Sequence, residues 1–201
     1  MVDWLRNIDA LPRVHTGIYD GFFLSVPDIE EVLVPQLMCS QPKRLLIVGH
    51  NMHGALATLA LAYLLRRLNL ASTAHTILLV SAGEPMVGNG RFKTLWSSGI
   101  EPLRSENKLI SIRIVNDQDA LPLFPPDLFG FCHLTAPCLL TSAPKFIMPK
   151  IDEVEDVGNI TEPIDDHQPA NFYTALVQAC QTAKVDSCLG ARMQSYSCEI
   201  V

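Results

Sequence analysis

The sequence predicts an α/β fold, a mostly parallel sheet with helices packed on it. Three observations carry this. Lys43 to Gly49 and Thr76 to Ser81 are short, unbroken apolar runs, the pattern of strands buried on both faces. Between them, His53 to Asn69 is dense in alanine and leucine and closes on Arg66 and Arg67, as a helix with cations near its C-terminal end. Leu109 to Val115 then alternates Ile110, Ile112 and Ile114 as a third strand. Strand, helix, strand, helix, strand at these spacings is the order of a parallel sheet.

The remaining elements follow in chain order. The alanines of residues 53–69 point to a helix pressed closely onto the sheet. Gly83 and Pro85 end the second strand, and Phe92 to Ser98 reads as a short helix. Pro122, Pro125, Pro126 and Pro137 punctuate a looser segment, with an edge strand expected within Phe131 to Leu140. Pro149 to Gln168 is acidic and expected to be a long surface loop, and Pro169 to Ala183 to be a closing helix. Lys184 to Val201 is left as a tail, so the expected organisation is one domain over 1–183 and a tail over 184–201.

Composition narrows the function classes. Hydrophobic residues make up 48% of the 201, and charged residues only 18%, where a soluble domain typically has about 25%. Mean hydropathy is positive, at +0.21. The net charge of −6 argues against a nucleic-acid partner, which needs a basic face. No apolar run approaches the roughly 18 residues that span a bilayer, so no transmembrane segment is expected. The N-terminus lacks the layout of a signal peptide, which favours an intracellular location without naming a compartment. The six cysteines include no Cys-x-x-Cys pair and are expected to be free thiols.

The turn after the first strand carries the chemistry. Gly49-His50-Asn51-Met52-His53-Gly54 joins a buried strand to a helix, the setting of a nucleophile elbow. Here the sequence resembles the class 3 (fungal-type) lipases, an α/β-hydrolase family. Its elbow, Gly-His-Ser-Leu-Gly-Gly-Ala-Leu-Ala, lines up with Gly49 to Ala57. Gly83 to Phe92 resembles its Gly-x-Pro-x-Val-Gly-Asn-x-x-Phe, and Val115 to Pro122 its Val-Asn-x-x-Asp-x-Val-Pro. Phe129 to His133 and Val14 to Tyr19 resemble two further stretches, so five motifs follow in order across about residues 3 to 180. The resemblance implies an α/β-hydrolase fold and a triad in the order Ser, Asp, His. It puts the aspartate at Asp119, the histidine at His167, and one oxyanion donor at the amide of Met52.

Three departures set the functional expectation. The nucleophile position holds Asn51, whose carboxamide has no proton that a histidine can remove to make a useful nucleophile. Loss of the nucleophile costs about six orders of magnitude in turnover in another serine hydrolase. His53 replaces an elbow glycine and is expected to put an imidazole where the helix packs on the strands. The family's second oxyanion donor precedes its Asp-Trp-Leu stretch, which Asp3-Trp4-Leu5 resembles; that strand and the first family strands are expected to be missing. Asp119 and His167 are then relics, expected to hold each other or Asn51.

The expectation is a catalytically inactive lipase-like domain acting as a structural or interaction subunit, with other protein subunits covering an open sheet edge. The alternatives are an ester hydrolase acting on acylglycerols, seen as an Asn51 variant or a fragment, and a module that binds a lipid or acyl chain. No cofactor is expected. His50 and His53 flank Asn51, and His133 and His167 are candidates to approach them, but the pattern is too unspecific to assign a metal.

Overall fold

The computed structural model describes residues 11–39, 41–116, 119–140, 146–147 and 167–174. The chain opens with helix α1 (Thr16–Asp28), a π-helical turn (Ile29–Leu33) and α2 (Val34–Met38). It continues through β1 (Arg44–His50), α3 (Met52–Arg67), β2 (Thr76–Ala82), β3 (Gly88–Asn89), α4 (Gly90–Ser105) and β4 (Leu109–Asn116). β5 (Phe131–Cys132), β6 (Pro137–Leu140), β7 (Phe146–Ile147) and a helix α5 over residues 169–174 complete it. The three expected strands lie within one residue of their expected bounds, but β1 is not buried on both faces as its apolar run predicted: one face of it is largely exposed.

The main sheet runs β1-β2-β4-β6-β7. β1, β2, β4 and β6 are parallel, and β7 pairs antiparallel to β6. β3 and β5 form a separate antiparallel pair. Side chains alternate between the two faces of a strand. Leu45, Ile47, Ile77, Leu79 and Leu109 therefore share one face, where α3 and α4 bury the main core with Leu61, Leu64, Trp96, Ile100 and Leu103. On the other face Leu46 lies beside Leu78 and Ile110, and Val48 beside Val80 and Ile112. Here Phe172 of α5 packs on Ile114, Cys138 and Leu140. At the β1 end Leu46 and Val48 remain 62% exposed. Among the described residues β1 has no strand on its outer side.

Two expectations are corrected. The segment from Phe131 to Leu140 is not one edge strand. It divides into β5, which joins β3, and β6, which lies inside the main sheet between β4 and β7. Pro137 opens β6, where a proline removes least from the ladder. The short helix expected at 92–98 runs from Gly90 to Ser105 despite Pro102. Phe92, Trp96, Ile100 and Leu103 form a buried stripe at helical spacing, and that burial outweighs the break. The Asn89 carboxamide oxygen starts this helix by accepting from the Phe92 amide at 3.0 Å.

The sequence pattern did not reveal α1 and α2; α1 and the π-helical turn after it lie against α3. Phe22 meets Tyr63 with ring centroids 5.8 Å apart. Glu30 accepts from Arg67 Nε at 2.8 Å and Nη2 at 3.2 Å, and from the Tyr63 hydroxyl. The 149–166 part of the expected acidic loop, the remainder of the closing helix and the 184–201 tail lie outside the described residues. Among the described residues Cys39 and Cys132 are free thiols. Among the described residues no helix is long and apolar enough to cross a membrane.

Candidate functional site

β1 leaves the sheet at His50 and turns through Asn51 into α3. Asn51 has φ 55° and ψ −130°, a conformation that residues with a β-carbon rarely adopt. Its amide donates to Ala82 O at 2.8 Å, tying the turn to the end of β2. Its carbonyl accepts from Gly54 N at 2.9 Å and Ala55 N at 3.4 Å, which starts α3. The carboxamide itself makes no capping bond. The Met52 and His53 amides precede the first intrahelical bond, as the first amides of any helix do. Holding such a backbone costs about 1–3 kcal/mol, a strain found chiefly at functional sites.

The glycines around the turn explain which replacements it tolerates. A β-carbon on Gly49 would lie 2.1 Å from the His53 carbonyl oxygen, so no other residue fits there without moving backbone. At Gly54 the same atom would lie 3.2 Å from Ser81 Cβ and 3.3 Å from Glu84 Cβ. His53 is exposed, contrary to the expectation that its imidazole would sit against the strands. Gly54, one residue on, is the position that faces β2. The missing glycine at 53 therefore leaves the elbow intact.

Beside the turn, Asp119 and His167 are brought together. His167 Nδ1 lies 2.9 Å from Asp119 Oδ2 and 3.0 Å from Oδ1. Asp119 is 1% exposed and His167 7%. The Leu121 amide donates to Asp119 Oδ1 at 3.0 Å, fixing the carboxylate in its loop. Gly83, at φ 58°, makes room: a β-carbon there would lie 2.9 Å from both Asp119 Oδ2 and His167 Cε1. Nδ1–H faces the carboxylate, which leaves Nε2 as the ring nitrogen available to act as a base. Nε2 is buried and has no hydrogen-bond partner among the described residues, Asn51 included. His50 Nε2–H donates to the His167 main-chain oxygen at 3.0 Å, and the two rings lie 4.8 Å apart. Burial and the neighbouring His167 hold His50 below the usual histidine range.

A polar cluster lies beneath the turn, and the sequence reading did not single it out. Glu84 is 5% exposed. Thr58 of α3 donates to its Oε1 at 2.6 Å, and Ser81 of β2 to its Oε2. Arg113 of β4 is also buried, bonds Thr135 O at 3.1 Å, and is pushed down to about 10 by burial, still charged at neutral pH. His133, pushed down to about 3 by burial and then by Arg113, is neutral and bonds Pro122 O at 2.7 Å. The one signal for Glu84 was a carboxylate wedged between a buried strand and Pro85.

Burial raises the Glu84 carboxyl above its usual range, against the pull of Ser81, Thr58 and Arg113. Between the unfolded and folded values the native chain then holds more protons than the unfolded chain. Its stability accordingly falls as pH rises through that window. Glu84→Gln keeps the shape and two polar contacts without the charge. Urea unfolding should show the variant gaining on the native protein as pH rises above the ordinary carboxylate range. A constant difference across that rise would mean that burial is not perturbing the carboxyl.

The structure joins His50 to His167 but leaves His53 exposed and His133 bonded elsewhere. Among the described residues no three His, Cys, Asp or Glu side chains are placed to hold a metal ion.

A strained strand-to-helix turn above a parallel sheet, with a buried carboxylate–histidine pair beside it, defines an α/β-hydrolase-fold protein. The model of the class 3 lipase family matches residues 2–129, and the chain belongs to that family. It is 27% identical over 141 residues to a lipase of Rhizomucor miehei, covering 65% of this chain and 36% of that protein. A lipase of Rhizopus niveus is 30% identical over 121 residues, covering 60% of this chain and 29% of its own length. The chain thus spans about a third of these curated relatives. The native Rhizomucor miehei lipase propeptide complex superimposes with a TM-score of 0.51 at 26% identity, covering 65% of this chain and 38% of that one. A triacylglycerol lipase whose catalytic centre is a serine protease triad superimposes with a TM-score of 0.52 at 26% identity, covering 69% and 47%.

Proposed function

We propose that this chain is a non-hydrolytic lipase-family domain that acts as an interaction subunit. One observation carries the reading: Asn51 occupies the elbow while Asp119 and His167 stand assembled beside it. The base is present, but the side chain it would activate is a carboxamide. No acyl-enzyme can form through an attacking oxygen that is not there. Exposed Leu46 and Val48 on β1, the outermost of the described strands, supply the surface for a protein partner.

Two measurements test the proposal. Incubation with a fluorophosphonate probe and with short-chain fatty-acid esters should give no more labelling or turnover than a heat-killed control. Signal well above that control would overturn the non-hydrolytic reading. Native mass should show a complex with another protein, and a lone soluble monomer would count against the subunit role. The second reading, an acylglycerol or ester hydrolase, is favoured by the intact acid–histidine pair. It requires turnover by the native chain or by a longer form of it.

A further inference from the structure

We propose that Asn51 is a self-modification site, at which the elbow closes a succinimide and converts the asparagine to aspartate. This goes beyond the function proposed above and does not depend on it. In such closure the Met52 amide nitrogen attacks Asn51 Cγ. The five-membered ring contains Cβ, Cα and the carbonyl carbon of Asn51, so it forms only when Cβ and the Met52 nitrogen are nearly eclipsed about Cα–C.

The backbone decides whether they are. A tetrahedral Cα sets Cβ about 120° from N around that bond, so ψ of −130° leaves Cβ about 10° from eclipsing the Met52 nitrogen. Helical ψ would leave roughly 80° between them and an extended strand roughly 105°. Both ordinary conformations therefore protect asparagine, and this elbow does not. Rotation about χ1 is all that remains to bring Cγ to the nitrogen. The Asn51 backbone is held in this state by the Ala82 carbonyl on one side and the start of α3 on the other.

Two further features favour the reaction. The Met52 amide lies at the first position of α3, so attack breaks no intrahelical hydrogen bond. His167 Nε2 is buried, without a partner among the described residues, and backed by Asp119, on a ring tilted against that of His50 next to the turn. It takes the proton that Met52 N loses on attack. It returns that proton to the side-chain nitrogen as the Cγ–N bond breaks and ammonia leaves. Water then opens the imide at either carbonyl, giving aspartate or isoaspartate at position 51. No oxidant or cofactor enters. The other titratable groups around the ring are Asp119 and His50, with His53 exposed on the first turn of α3 and Glu84 beneath Gly54.

The test follows the tryptic peptide from Leu45 to Arg66, in which Asn51 is the sole side-chain amide. Native protein is held at neutral pH and 37 °C in water enriched in oxygen-18, beside the same protein unfolded in urea. Preorganisation of the reacting atoms predicts conversion in the folded protein at least about tenfold faster than in the unfolded chain. Each product carries one heavy oxygen. Equal or slower conversion in the folded protein would overturn the proposal. His167→Gln should slow the folded rate by about tenfold, and an unchanged rate in a folded variant would remove His167 from the step. The folded-against-unfolded comparison needs no variant, so it stands even if that substitution prevents folding.

Discussion

Gly49→Ala is expected to abolish stable folding, at a cost of about 4 kcal/mol or more. The new methyl carbon would sit 2.1 Å from the His53 carbonyl oxygen and 2.5 Å from the Gly54 nitrogen. Those are backbone atoms of the first turn of α3, so relief requires the helix to shift off β1. A loss of that size exceeds ordinary surface or helix-propensity effects. Urea unfolding followed by circular dichroism measures it. Two controls separate the elbow from its surroundings. Gly54→Ala meets Ser81 Cβ at 3.2 Å and Glu84 Cβ and the Gly49 carbonyl oxygen at 3.3 Å, and this milder crowding is offset by about 1 kcal/mol of helix propensity. His53→Ala, at an exposed position, should change stability by no more than about 0.5 kcal/mol. Near-native stability in Gly49→Ala would mean that the turn has more room than its backbone distances allow.

Asn51→Ser is expected to create covalent reactivity toward a fluorophosphonate. The substitution puts a hydroxyl on the elbow, and His167 Nε2, buried and without a partner among the described residues, is the base expected to reach it. Proton transfer to that nitrogen frees Oγ to attack phosphorus as fluoride departs. The Met52 amide is available to the developing oxyanion. Positioned general-base assistance is worth roughly 10²–10⁴-fold, so labelling should rise at least about a hundredfold over the native protein. Mass spectrometry locates the adduct on residue 51. Asp119→Asn in the Asn51→Ser background should remove most of the gain, because it misorients the imidazole that Asp119 now holds at 2.9 Å. A folded Asn51→Ser protein that stays unlabelled would show that the acid–histidine pair is not aligned on the elbow.

Much of this architecture is legible in the sequence. The runs at 43–49 and 76–81 had no polar alternation to hide them, and the alanine-rich stretch between them left one connection possible. Asp119 and His167 were found through motif order, not local pattern, since a loop carboxylate and a loop histidine carry no periodicity. α1 and α2 were missed because Gly17, Gly21, Pro27 and Pro35 break the signal. Tertiary burial of Ile18, Phe22, Val34 and Leu37 stabilises them regardless. The error at His53 came from counting glycines without knowing which side of the helix met the sheet. Glu84 was invisible for a different reason. An isolated acidic residue is expected at the surface, and only the convergence of Thr58, Ser81 and Arg113 shows what holds it inside.

The parallel order of the sheet also governs when this site can exist. Val48 pairs with Val80, and Val80 with Ile112, so each ladder closes only after an intervening helix has been traversed. Such non-local pairing is slow relative to helix formation. The Asn51 amide bonds to Ala82, the last residue of β2, and Gly83 immediately beyond it makes the space that Asp119 and His167 fill. The elbow is therefore expected to take its shape late, when β2 docks on β1. A nascent chain ending before Ala82 has the residues of the turn without its conformation, and the site's chemistry begins only once the second strand has arrived.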